Sequence, residues 1–216
     1  MQEKVIHSLF NPLPSGEGWG GAWSTSFDIH THVPSGPNSI CSLPPLKAIE
    51  MSRSNLNQPY SIELHPWYAS TSLLEEFLEA CEICKDDERF VAIGECGLDT
   101  LAISDKNKSL DVSLETQKHC FKQSLLKAKE LHKPAILHIV KAWELLYEIV
   151  DEVFPSLSNP SDPILIVHGF RKNVTFAKQL ISRGFYLSLG EKYNPEVLSL
   201  IPSGKIFRET DRTIEE

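Results

Sequence analysis

Residues Pro134–Phe170 read PAILHIVKAWELLYEIVDEVFPSLSNPSDPILIVHGF. The stretch opens on a strand-like run, PAILHI, passes into a helical segment, Ala142–Val153, and returns to a second apolar run, PILIVH. A strand, a helix of this length and a second strand make a βαβ unit, whose two strands lie parallel. Each strand carries a histidine near its C-terminal end: His138 in the first and His168 in the second.

The same alternation extends in both directions. Strand-like runs precede this unit at SFDIHT, NSICSL, YSIEL and RFVAIG, and follow it at GFYLSL and KIFRET, which gives eight in all. Helical segments are expected at Ser72–Cys84 and Ser113–His132 before it, and at Val174–Arg183 after it, the last closed by Gly184. Eight strands with helices between most of them predict an α/β fold of the (β/α)8 TIM-barrel type rather than an open sheet. Such barrels usually take about 250 residues. Here the chain has 216, and the helix expected after the last strand is missing or only begun in RTIEE. The domain is expected to occupy residues 26–216. Residues 1–25, rich in Gly, Pro and Ser and without a steady period, are expected to form a flexible extension or to reflect a reading frame begun too early.

Composition narrows the function. The net charge of −8 and pI near 5.5 argue against a protein that coats nucleic acid through clustered Lys and Arg. They leave room for an enzyme that holds nucleic acid locally through metal ions. No secretory h-region precedes the five cysteines, so reduced thiols in the cytoplasm are expected. Cys81 and Cys84 form a CxxC, but within EEFLEACEIC, which reads as helix rather than as a zinc or redox motif. No apolar run is long enough to span a membrane.

Polar residues fall at the strand ends. His30 and His32 close the first strand, and the period of two in a strand points both the same way. His65 follows the third strand, Glu95 follows the fourth, and Asp211 closes the last. With His138 and His168, all would lie on the C-terminal rim, where parallel barrels build active sites. A lone histidine in an apolar strand is most often a hydrogen-bonded core or surface residue. Six metal-type residues at the ends of five strands point instead to a metal site, because imidazole nitrogen and carboxylate oxygen together suit divalent cations. A carboxylate can bridge two such cations, and paired cations activate water for hydrolysis.

In order along the chain, FDIHTH, LHPW, GECGLD, QKHCF, PAILHIVKAW, IVHGF, YLSLG and ETD resemble the TatD-type metal-dependent hydrolases of the amidohydrolase-like barrel superfamily. The resemblance covers Phe27 to Asp211. It implies a distorted barrel, two divalent metal ions (Mg2+, Mn2+ or Zn2+) and a nuclease that cleaves DNA. It assigns His30, His32, Glu95 and Asp211 to one metal, and Glu95 as a bridge to a second metal held by His138 and His168. Asp211 would also orient the attacking water or take its proton, and His65 would contact the scissile phosphate or the water. The other reading of His65 is a cap on the His-Pro turn. Asp99 and Glu209 recur in the resembling motifs and would orient metal-bound histidines, or serve in loop and helix-cap hydrogen bonds.

The chain departs from the family pattern in two places. The family's His-x-Arg after the fifth strand is here His138-Ile139-Val140-Lys141, so Lys141 would supply the positive charge one place later; Arg171, after HGF, is a second phosphate-binding candidate, and a solvated surface role is the alternative for each. The short end after ETD would leave apolar barrel surface exposed. Two rival functions stay open at this stage: the same site acting on an ester, amide or lactone of a small molecule, and a metal-binding homologue without turnover. The bridging lysine of other amidohydrolase-like sites is absent, and Glu95 takes its place. Neither a membrane nor an obligate protein partner is expected.

Overall fold

The computed structural model describes residues 27–104, 112–155, 159 and 161–213. The predicted extension at residues 1–25 and the last residues of RTIEE lie outside these. Eight strands close into one barrel in chain order, every neighbouring pair parallel: β1 (Asp28–Thr31), β2 (Ser39–Leu43), β3 (Tyr60–Leu64), β4 (Phe90–Asp99), β5 (Ala135–Val140), β6 (Leu165–Val167), β7 (Tyr186–Leu189) and β8 (Ile206–Arg208). Pairing of Asp28 with Arg208 completes the ring.

Among the described residues seven α-helices accompany the strands: α1 (Pro45–Ser52), α2 (Thr71–Cys84), α3 (Thr100–Ser104), α4 (Leu114–Leu131), α5 (Trp143–Val153), α6 (Val174–Ser182) and α7 (Pro195–Leu200). The four helices predicted from periodicity are all present within two residues of their expected ends. Their starts follow side-chain caps where polar residues allow them. Ser70, Ser113 and Asn173 accept the backbone N–H of Leu73, Thr116 and Phe176. Helix α1 was not legible because it begins on Pro44-Pro45. Proline at the first helical position is tolerated, since its missing N–H would have no partner there. No helix separates β1 from β2, and among the described residues none follows β8.

Two apolar layers result. A large cluster packs the outer faces of the strands against the helices, with Phe77, Phe121, Phe154 and Phe185 fully buried in it. A smaller one, drawn from the strands alone, fills the barrel with Ile29, Ile40, Val91, Ala92, Ile136, Ile166 and Phe207. Ile136 and His138 are two apart on β5, so the inner face passes from packed aliphatics to imidazole at the C-terminal mouth.

His32 and His168 lie one residue past the ends of β1 and β6, and two other placements differ more from expectation. Glu95 lies inside β4, which runs on through GECGLD to Asp99 rather than ending at Gly94. Asp211 lies past the end of β8 instead of closing it. The reason for the first is close approach. A Cβ on Gly94 would sit 2.4 Å from the Ile136 carbonyl oxygen, and one on Gly97 would sit 2.0 Å from that of His138. Both glycines have positive φ. Glycine on each side of the Glu95-Cys96 pair lets β4 stay paired with β5 through a register shift, where strand propensity alone suggests a loop.

Candidate metal centre

Glu95 is the hub. Its side chain is 2% exposed, and its two oxygens face different groups. Oε2 lies 3.2 Å from His30 Nε2 and 3.4 Å from His32 Nε2. Oε1 lies 2.6 Å from His138 Nδ1, 2.7 Å from His168 Nε2 and 3.4 Å from His65 Nε2. Asp211 joins the Oε2 side, 3.6 Å from His30 and 3.8 Å from His32. Every histidine expected at the site therefore surrounds one carboxylate, and Asp211 completes the set.

The backbone explains how distant residues meet. After β8 the chain runs beside β1: Asp211 N–H donates to the His30 carbonyl and His32 N–H to that of Arg212. Asp28 pins this junction by accepting from the Thr210 backbone N–H at 3.0 Å and from its hydroxyl at 2.6 Å. Asp211 itself takes a left-handed conformation, φ 51°, uncommon for a residue other than glycine and frequent at functional sites.

His65 caps its turn and also reaches the cluster. Its Nδ1 accepts the Trp67 backbone N–H at 3.2 Å, capping the turn Pro66–Tyr68. That bond occupies the Nδ1 lone pair, so the remaining proton of the neutral ring sits on Nε2, which faces Glu95. His65 is thus presented to the site as a hydrogen-bond donor.

Around the hub lies a supporting layer. Asp99 Oδ2 accepts from Trp67 Nε1 at 2.7 Å and lies 3.2 Å from His138 Nε2. Gln117, wholly buried on α4, accepts the Asp99 backbone N–H and donates to the Pro66 carbonyl. It ties the His65 turn to the end of β4. Glu209, also buried, accepts the Gly169 N–H at 2.6 Å and lies 3.7 Å from His168 Nδ1. Asp99 and Glu209 therefore both stand behind histidines, and both also make the loop and helix-cap bonds of their other reading, Asp99 Oδ1 accepting the Ala102 N–H at 2.8 Å. Sequence reasoning missed Trp67, Gln117 as a clamp, Asp28, and Glu63, which approaches His32 Nδ1 at 3.6 Å. The signal for Glu63 was present, since it is two residues from His65 in ELHPW. Lys141 and Arg171 are exposed near this mouth and, among the described residues, make no ion pair with the cluster.

The electrostatics are those of a crowded, largely buried site. Burial works to raise the Glu95 carboxyl, but His168, His138 and His30 hold it well below the usual carboxylate range. Burial works to lower His168, and Glu95 and Glu209 overcome it and carry the imidazole well above its ordinary value. His138 is raised in the same way, by Asp99 and Glu95 against burial. One carboxylate cannot satisfy five imidazoles. His30 is completely buried, and neither of its ring nitrogens is in a hydrogen bond; the same is true of His168 Nδ1. Such groups are rare in folded proteins unless something else is meant to bind them. Ligand atoms of His30, His32 and Asp211, of His30, Glu95 and His168, and of His65, Glu95 and His138 each fall within 4.8 Å of one another. Neutral imidazole nitrogens and carboxylate oxygens at this spacing fit a divalent cation.

Comparison with known proteins agrees. The family model described as TatD related DNase matches residues 44–213. The chain belongs to the TatD-related DNase family. Among TatD-related relatives, it is 30% identical over 68% of its length to a protein of Cronobacter sakazakii named 3'-5' ssDNA/RNA exonuclease TatD, and covers 54% of that protein. It is 27% identical over 76% of its length to an uncharacterized metal-dependent hydrolase of Buchnera aphidicola, and covers 59% of it. The chain thus spans little more than half the length of these curated relatives. The TatD homologue YjjV from Escherichia coli K12 shares the fold, with a TM-score of 0.67 at 20% identity over 86% of this chain and 78% of the other. No described helix is long and apolar enough to cross a membrane.

Proposed function

We propose that this TatD-related chain is a divalent-metal-dependent nuclease that hydrolyses phosphodiester bonds in DNA. The observation that carries the reading is the division of labour on Glu95, whose two oxygens each face their own set of ligand atoms. His30, His32, Glu95 and Asp211 would hold one cation; His138, His168 and the other oxygen of Glu95 would hold a second. Cations there supply charge stabilisation for a phosphoryl oxygen and lower the pKa of a water.

The chain's own groups do the rest. Asp211, whose side chain is 36% exposed, would orient the attacking water and accept its proton. His65 offers its Nε2 proton to a non-bridging oxygen of the scissile phosphate. Lys141 and Arg171 contact neighbouring phosphates, Arg171 through its forked donors. The water oxygen bonds to phosphorus and its proton passes to Asp211, while the P–O ester bond breaks and the departing oxygen takes a proton from solvent. Nucleic acid as the substrate class is supported by the names of relatives, which include ssDNA/RNA exonucleases. Five free, buried cysteines fit a reducing cytoplasm.

The test is direct. Purified protein is assayed on single-stranded DNA with Mg2+, Mn2+ or EDTA, with metal content measured in parallel. Cleavage should require metal and fall by about 10²–10⁴-fold in Asp211→Asn. Tight metal binding without cleavage of any phosphodiester would overturn the proposal.

A further inference from the structure

We infer that the open groove between the N-terminal ends of α5 and α6 is a stacking subsite for one base of a single-stranded nucleic acid, next to the nucleotide being cleaved. The inference deepens the nuclease reading and rests on it for the choice of occupant. Trp143, Lys172, Asn173 and Phe176 line the groove, whose volume is about 250 Å3. That lies just under the ~300–1,000 Å3 of sites for drug-sized ligands, so it suits a single planar ring system.

The groove is built on the two strands that deliver His138 and His168. Trp143 opens the helix after β5, and Lys172 and Asn173 lead into the helix after β6. A ligand in the groove is therefore a few residues of chain from the metal centre. Its aromatic wall is anchored from within. Buried Phe170 of the HGF motif stacks on Phe176 with centroids 6.4 Å apart, and Phe176 meets Trp143 edge-on at 4.8 Å and 72°. Trp143 and Phe176 are only half-buried, so part of each remains for a ligand.

Charge selects what that ligand is. The chain carries −8 overall, yet three exposed cations, Lys141, Arg171 and Lys172, stand in the loops that lead into this groove. Among the described residues none of them makes an ion pair, and all three stand on the two loops that flank the groove. Unneutralised cations beside an aromatic corner match a base with phosphates on either side. Stacking is tolerant of base identity, so the subsite would bind without strong sequence preference.

The experiment measures binding by fluorescence anisotropy on the metal-loaded protein, with a labelled oligothymidylate whose phosphorothioate linkages resist cleavage. Trp143→Ala should weaken binding about tenfold, and Trp143→Phe should restore most of the loss. Lys172→Glu should weaken it several-fold and flatten its salt dependence. Lys85→Glu, at the far end of α2, should bind like the wild type. Wild-type affinity in a folded Trp143→Ala protein overturns the inference; if that variant does not fold, wild-type affinity in Lys172→Glu does so instead. The two proposals fail separately. Groove-dependent binding without any metal-dependent cleavage leaves the subsite and removes the nuclease, and cleavage with unchanged affinity in every variant does the reverse.

Discussion

Strand β4 carries a polar cluster at each end, and the two are built on opposite principles. Arg89, just before the strand, has five N–H donors, and each is matched. Nε and one Nη reach Asp87, and the remaining bonds go to the carbonyls of Ser52, Ser54 and Leu56. Tyr60, fully buried, donates its hydroxyl to the same Asp87 at 2.9 Å. At the other end Glu95 is surrounded by more imidazoles than it can satisfy, and buried ring nitrogens are left over. The first arrangement is complete without a ligand and holds loops to the base of the barrel. The second leaves buried nitrogens without a hydrogen bond. This is the usual division of a parallel barrel, in which stability sits at the N-terminal face and chemistry at the C-terminal face.

Several substitutions should break or sharpen that contrast. The largest effect is expected from Glu95→Gln, which removes the charge that both halves of the centre share; metal content by elemental analysis should drop to background, and nuclease activity with it. Gly97→Ala comes next, because the new Cβ has no room against the His138 carbonyl. A loss of about 3 kcal/mol in denaturant unfolding is expected, with metal binding impaired as His138 shifts. Arg89→Ala should act on stability alone. It leaves Asp87 without its cationic partner, though still bonded by Tyr60, and three carbonyls without their donor, a loss of about 2–3 kcal/mol, while the protein that remains folded binds metal normally.

Smaller and more selective effects should come from the supporting layer. Gln117→Ala should lower activity or metal affinity about 10–100-fold, since it frees both the His65 turn and Asp99 behind His138. A folded Gln117→Ala protein with wild-type kinetics would show that the clamp is only structural. The smallest effect is one of pH. Burial works to raise the Asp87 carboxyl, but hydrogen bonds from Arg89 and Tyr60 bring it below its ordinary 3.8. A depressed carboxylate contributes stability that is present above its unfolded pKa and lost as pH falls through the folded one. Acid unfolding of Asp87→Asn below about pH 4 should therefore be shallower than that of the wild type.

The sequence was an uneven guide to these two clusters. The histidines and carboxylates of the C-terminal rim stood out because metal-type residues at strand ends are rare among apolar neighbours. The Arg89 cluster left no such mark, for an Arg next to acidic residues in DDERF reads as ordinary surface charge. Glu95 was recognised as a hub but placed after β4 instead of within it, because Gly-Glu-Cys-Gly resembles a turn when read locally. Gln117 was quoted as part of a motif and not as a clamp. A glutamine on a helix gives no local sign that it is buried, and its partners lie at the ends of two other elements.

Alternating apolar runs, helix caps and the spacing of imidazole and carboxyl groups are written into the chain itself, so the barrel, its eight strands and the histidines and carboxylates that converge at its mouth could be read from residues in order. Which oxygen of Glu95 faces which histidines, how Asp211 reaches His30, and where Trp143 and Phe176 form a groove depend on contacts between residues far apart in sequence. Closure of the barrel creates those contacts, because only the pairing of β1 with β8 and the register of β4 on β5 fix the distances across its mouth.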